Sequence, residues 1–122
     1  MSNAIKHLLD FGIALGDIQP ARGKIFKKTI PATDEILIKG LEWENLFPGT
    51  RERFPNILSF ASDNRLYYNF DENNDFAQGE SFNLDPKAVK SVYFQDKTND
   101  ILRIYNAEAS PVEVVILVQN VR

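Results

Sequence analysis

Cysteine is missing from this chain altogether. That removes disulfide frameworks, thiolate metal sites and a cysteine nucleophile together, and leaves packing to hold the fold. Histidine occurs once, as His7. It is far from any Ser or Thr in a recognisable nucleophile context, so a triad has no base, and the expected role is a solvent-facing or interface side chain. No apolar run approaches the roughly 18 residues that cross a bilayer, and the first residues lack the basic start and unbroken apolar block of a secretory signal. A soluble chain without a membrane partner is therefore expected.

An excess of charge of one sign is also lacking. The net charge is −3, with eight basic and seven acidic side chains over residues 1–54 and six and ten over residues 55–122. Such a surface is not built for nucleic acid. The basic cluster Arg22, Lys24, Lys27 and Lys28 would not form a continuous stripe on a strand. Lys24 and Lys28 share parity while Lys27 points away, so a solubilising edge is the simpler reading.

Extended structure is abundant. Val89–Phe94, Ile101–Tyr105 and Val112–Val118 are rich in β-branched and aromatic residues and are separated by polar turns, which predicts a β-meander. Val112, Val114, Ile116 and Val118 share one strand face, and Glu113 and Gln119 mark the other. Upstream, Lys24–Ile30 reads as an edge strand. Glu35–Trp43, with its Ile36-Leu37-Ile38 run and Gly40 as a candidate bulge, reads as a central one. Pro48-Gly49-Thr50 is a turn and Arg51–Phe54 an exposed loop. Ile57–Ser62 and Arg65–Phe70 flank Asp63-Asn64, a pair that suits a two-residue hairpin. Ser81–Leu84 is a short strand, and Asp85-Pro86-Lys87-Ala88 turns into the last third.

Seven or eight short strands predict an all-β fold, an antiparallel β-sandwich of jelly-roll or immunoglobulin-like topology, over residues 24–122. At this length a single fold hides about two-thirds of the surface its unfolded chain exposes. Residues 1–23 form an appendage ending in the Asp17–Gly23 linker, which Pro20 and Gly23 mark. Ile5, Leu8, Leu9 and Gly12 recur at helical spacing, so the segment is a short helix or else an extended arm laid on a neighbouring subunit.

The candidate sites each carry a plain structural alternative. Asp71, Asn73 and Asp75 place oxygen ligands at alternate positions, as a calcium loop does, with Glu80 or Asp63 as a further ligand. Phe76 and Phe82 stand where the turn glycine and the bidentate glutamate belong, which favours a solvated loop. Asp96–Asp100 is a weaker version of the same pattern. Glu42 and Glu44 would share a strand face, but no pocket splits their pKa values for acid–base work. Trp43, Tyr67, Tyr68, Tyr93 and Tyr105 could form an aromatic platform for sugars or simply fill the core. Tyr67 and Tyr68 are adjacent and must face opposite ways. No cofactor is implied.

From Arg65 onward the order of segments carries a resemblance. Leu66-Tyr67-Tyr68-Asn69-Phe70-Asp71 and its polar loop are followed by Gly79-Glu80-Ser81-Phe82, by Asp85-Pro86 with a strand ending Val92-Tyr93-Phe94, by Ile101-Leu102-Arg103-Ile104-Tyr105-Asn106, and by a closing valine-rich strand. This layout, over residues 65–121, resembles small β-sandwich virion proteins of tailed bacteriophages. The resemblance implies a non-enzymatic structural role in the virion, decorating or stabilising the capsid or joining the head–tail neck. Partners would be further copies of the chain and other virion proteins. Phe11, Ile13, Leu15, Trp43, Phe47, Phe54 and Tyr67 are the candidate interface anchors, because large apolar residues in loops and appendages have little intrachain core to enter. The alternative is a carbohydrate-binding β-sandwich module, assisted by calcium.

Overall fold

Eight strands build two four-stranded antiparallel sheets in the computed structural model, which describes residues 23–50, 55–70 and 81–120. In chain order they are β1 (Lys24–Ile30), β2 (Asp34–Lys39), β3 (Asn56–Ala61), β4 (Leu66–Asn69), β5 (Phe82–Leu84), β6 (Lys90–Phe94), β7 (Ile101–Asn106) and β8 (Val112–Asn120). One sheet has the order β1-β8-β3-β6 and the other β2-β7-β4-β5. The chain changes sheet at every connection except β4–β5. This is a jelly roll, and it decides between the two sandwich topologies that the sequence left open.

Alternation along the strands explains the layering. Phe26, Leu58, Phe60, Val92, Phe94, Val114, Ile116 and Val118 of the first sheet meet Ile36, Ile38, Leu66, Tyr68, Leu84, Leu102 and Ile104 of the second in one apolar core. The single-parity face read from Val112 to Val118 is that inner face. Its strand is apolar on both sides, since Val115 and Leu117 join a second buried cluster with Ala61.

Pairing differs from the sequence expectation in three places. The meander is absent, because β6, β7 and β8 alternate between sheets and none pairs with its sequence neighbour. Strand periodicity identifies extended segments but says nothing of their partners, and the six residues 95–100 and five residues 107–111 are long enough to cross between layers. The β3–β4 hairpin is also absent. Neither Asp63 nor Asn64 has the positive φ that a two-residue hairpin turn demands. Instead the Ser62 hydroxyl accepts from the Asn64 N–H at 3.2 Å and donates to the Glu113 carbonyl at 2.8 Å, steering the chain to the other sheet. Finally, β2 is an edge rather than a central strand and stops at Lys39.

After β2 the chain curls into a 3-10 turn, Gly40–Glu42, and one helical turn, α1 (Trp43–Leu46). Gly40 is there for closeness rather than as a bulge: a Cβ would strike the Lys97 carbonyl oxygen and lie 2.7 Å from Lys97 Cα. Phe47-Pro48-Gly49-Thr50 then forms a type II turn, with φ +81° at Gly49 and the Thr50 N–H donating to the Phe47 carbonyl at 3.2 Å. Glu42 and Glu44 therefore share no strand face. The Glu44 carboxylate accepts the Gly49 N–H at 3.1 Å.

The turns at the opposite end are tied to one another. Asn106 is fully buried, and its amide donates to the carbonyls of Ile30 at 3.1 Å, Pro31 at 3.1 Å and Ser110 at 2.9 Å. Its side-chain oxygen accepts the Glu108 N–H at 2.8 Å. One side chain thus joins the β1–β2 corner to the β7–β8 corner. Thr33, in the first of these corners, has φ +53°, a conformation rare for a β-branched residue, and its N–H donates to the Glu108 carbonyl at 3.2 Å.

Candidate functional site: the flank between β5 and β6

A two-layer sandwich has two open flanks, where the edge strands of its sheets face one another across the core. Here β1 and β2 bound one flank, and β5 and β6 bound the other.

At the second flank the inner-face residues reach the surface. Tyr68 on β4 lies opposite Phe82 on β5, and Phe70 follows two residues after Tyr68, so all three rings share the inner side of one sheet. Tyr68 is buried against Phe60, with ring centroids 5.6 Å apart. Phe82 stacks on Tyr68 at 5.4 Å and Phe70 meets it edge-on at 5.8 Å, yet Phe70 is 46% exposed and Phe82 56% exposed. Strand β5 has only three residues and, among the described residues, no neighbour beyond it, and the ring it places at the end of the stack is more than half exposed. Lys90 reaches from β6 with its ammonium 5.7 Å from the Tyr68 ring centroid, a cation–π contact that bridges the two sheets.

Beside Phe70 lies a groove of about 240 Å³ lined by Val92, Phe94, Ile101 and the Asn99-Asp100 corner. Its polar rim is preformed. Both the Gln95 and Asp96 N–H groups donate to the Asp100 carboxylate at 2.8 Å. The Asp96 carboxylate accepts from Asn99 Nδ2 at 2.7 Å, from the Thr98 N–H at 2.8 Å and from the Asn99 N–H at 3.2 Å. The side-chain bond from Asn99, followed by the Thr98 backbone bond, holds the Asp96 carboxyl below its ordinary value. These carboxylates are occupied in shaping a turn. Among the described residues no group of three or more His, Cys, Asp or Glu converges as a metal site.

The residues singled out from sequence scatter widely. Trp43 and Phe47, taken as interface anchors, are fully buried. Trp43 packs on Phe47 at 4.9 Å and on Phe94 at 5.2 Å, and Phe47 packs on Phe26 at 5.2 Å. They are core residues because the connection after β2 folds inward over the end of the sandwich. Tyr67 is half-buried on the outer face of the β2-β7-β4-β5 sheet, directly opposite Tyr105. Next to them Arg103 makes a bidentate pair with Glu35, at 2.6 and 2.7 Å. Tyr93 is exposed on the outer face of the other sheet. Phe11, Ile13, Leu15 and Phe54, and the calcium candidates Asp71, Asn73 and Asp75, lie outside the described residues. Phe70 and Phe82 belong to no motif in the sequence. The signal available for them was their place on either side of the polar 71–80 segment, at the end of one short strand and the start of another.

No family model matches this sequence, and no curated protein matches it. Solved structures do share the fold. A de novo designed double-stranded β-helix aligns with a TM-score of 0.50 at 15% identity, over 76% of this chain and 95% of that one. A cupin domain of an XRE-family transcriptional regulator from Enterobacter cloacae aligns with a TM-score of 0.52 at 14% identity, over 88% and 93%. The cupin domain of Schizosaccharomyces pombe Cnp3 aligns with a TM-score of 0.50 at 13% identity, covering 81% of this chain and about half, 53%, of that one. At such identities the likeness is one of fold, and the jelly roll serves viral capsid, lectin and cupin proteins alike.

Proposed function

We propose that this chain is a non-enzymatic structural subunit of a tailed-bacteriophage virion, coating or stabilising the capsid or forming part of the neck, and that it acts through the β5–β6 flank. The observation that carries the reading is the pair of phenylalanines, Phe70 and Phe82, stacked around Tyr68 and left half in water. Exposed apolar clusters with a polar rim mark protein or membrane interaction sites or ligand grooves. The described core is filled by apolar side chains, so contact surfaces rather than an internal cavity are the natural working parts. The order of segments over residues 65–121 adds the virion resemblance. Partners are further copies of the chain and neighbouring virion proteins.

Light scattering of the chain, alone and co-expressed with the products of adjacent genes, tests the proposal. An assembly is expected in at least one arm, and Phe70→Ser with Phe82→Ser should abolish it. A monomer in both arms would reject it.

A second reading has its own observation. Tyr67 and Tyr105 are cross-strand partners on the outer face of one sheet with the Arg103–Glu35 pair beside them, and aromatic side chains so placed are what a sugar ring stacks on. A carbohydrate-binding module would show glycan affinity that Tyr67→Ala removes. If calcium assists it, a chelator would lower Tm.

A further inference from the structure

The four edge strands of the sandwich are not equally open to pairing. Strand β1 carries Lys24, Lys27 and Lys28, the kind of charge that keeps an edge from joining another, β2 opens on Asp34 and Glu35, and β5 has only three residues. Strand β6 has none of these guards. Its five residues, Lys-Ser-Val-Tyr-Phe, hold a single charge and no proline, and they pair one for one with β3, so no bulge turns the edge aside. Among the described residues no strand lies beyond it. Such an edge is a template for one more strand.

The two ends of β6 differ in charge. Lys90, at its start, makes no ion pair among the described residues and rests its ammonium 5.7 Å from the Tyr68 ring centroid. Phe94, at its end, leads into the corner where Asp96 and Asp100 outnumber Lys97. Between these ends Val92 and Phe94 line the groove of about 240 Å³, and Phe70 and Phe82 stand half exposed on the facing sheet. A strand of the same sequence laid antiparallel brings unlike ends together, whereas a parallel one opposes like ends. The edge is therefore self-complementary. A two-fold axis perpendicular to the sheet keeps inner face with inner face, and with Val92 opposite itself every residue of the strand gains a partner: Lys90 opposite Phe94, and Ser91 opposite Tyr93.

We infer that β6 pairs antiparallel with β6 of a second copy of this chain, forming a two-fold dimer whose sheet continues through the junction. The open flanks of the two copies then face one another, so Phe70 and Phe82 of each meet those of the other, and Lys90 of each lies beside the acidic corner of the other. The inference rests on the reading of this flank as an association surface, and adds the partner and the mode of pairing; it does not depend on the virion setting.

The lack of cysteine makes the test clean, because one introduced thiol is the only one to label. Full-length chains carry pyrene at Tyr93→Cys, on the exposed outer side of β6, or at Lys27→Cys, on the exposed outer side of β1. Across the junction the two 93 positions are diagonal neighbours, about 8 Å apart. The two 27 positions are seven strand spacings apart, roughly 34 Å. Excimer emission is expected from the first chain and not from the second, and its dependence on concentration gives the dissociation constant. A monomer at every concentration, an assembly with no excimer at 93, or an excimer at 27 alone would overturn the β6 pairing. If assembly is then still abolished by Phe70→Ser with Phe82→Ser, the association surface stands without this pairing; assembly that survives the double change rejects the surface itself. Lys90→Glu sets like charges together in the dimer and should raise the dissociation constant at least about tenfold at low salt, and less at high salt, while Trp43 emission stays that of the folded protein. An unchanged constant would overturn the charge match that selects a second copy.

Discussion

The two flanks of this sandwich begin from the same problem and end differently. At each, two edge strands leave the inner face open to water. On the β1–β2 side the connection after β2 supplies Phe47, which packs on Phe26, while Trp43 carries the same cluster over the end of the sandwich to Phe94 of β6; both rings are fully buried, and Lys28 sets its ammonium 5.8 Å from the Phe47 ring centroid. On the β5–β6 side the equivalent rings, Phe70 and Phe82, pack on Tyr68 and on each other and remain half exposed. The pins differ in kind as well. Asn106 fastens the closed side with buried amide bonds, whereas the open side carries the Arg65–Asp85 ion pair, 3.0 Å long and well exposed. Similar aromatic content can thus end buried in the core or half open to water, and connectivity decides which.

Emptying the closed flank should have the largest effect. Phe47→Ala removes a fully buried ring between Trp43 and Phe26, and truncations of that kind cost about 3–5 kcal/mol. Urea unfolding followed by emission of Trp43, the single tryptophan, measures it directly. A loss below about 1 kcal/mol would show that the ring is not a core element and would erase the contrast between the flanks.

Asn106→Ala attacks the same side at its other end. The carbonyls of Ile30, Pro31 and Ser110 would lose a buried donor and the Glu108 N–H its acceptor, for an expected cost of about 1–3 kcal/mol. Removing the exposed pin of the open flank with Arg65→Ala should cost no more than about 1 kcal/mol, as for most surface ion pairs. If the two losses were equal in the same denaturation assay, the distinction between the pins would fail.

Much of this architecture was legible in the residues, and the part that was not has a physical reason. Lys24–Ile30 emerged as an edge strand with the expected parity, because alternation and charge act locally. The same local information gave extended segments at β3, β4, β6, β7 and β8. It could not give their partners, since a strand's pattern describes its two faces and not its neighbours, and so the meander and the β3–β4 hairpin were expected where the chain crosses between sheets. Trp43 and Phe47 were misplaced on the surface for a related reason: Gly40, read as a bulge, instead permits the close approach to Lys97 that turns the chain inward. The site was the least legible. Nothing in the composition of Ser81–Leu84 distinguishes a short edge strand with an exposed inner face from any other short strand.

Stability and assembly should separate at the open flank. Phe82→Ser removes a ring that is 56% exposed and packed on Tyr68 and the half-exposed Phe70, so unfolding free energy should fall by only about 1 kcal/mol. The mass measured by light scattering should nonetheless drop to that of the single chain. A change in stability as large as that of Phe47→Ala, with assembly intact, would make Phe82 a core residue and reverse the roles assigned to the two flanks.

The smallest effect concerns the corner that rims the open flank, and it is a matter of pH. The Asp96 carboxyl is held below its ordinary value of 3.8 by the Asn99 side chain first and the Thr98 backbone second. A carboxyl depressed in the folded state stabilises the fold fully above its unfolded value, and that contribution disappears as pH falls through the lower folded one. Asp96→Asn keeps an oxygen for the Thr98 N–H but discards the charge. Wild type should therefore melt slightly above the variant at neutral pH, and the gap should close on acidification to below the ordinary carboxylate range. A gap that stays constant down to that range would mean that the turn is held by hydrogen-bond geometry alone. The rim beside Phe70 would then keep its shape in acid, and any acid-induced loss of assembly would have to originate elsewhere on the flank.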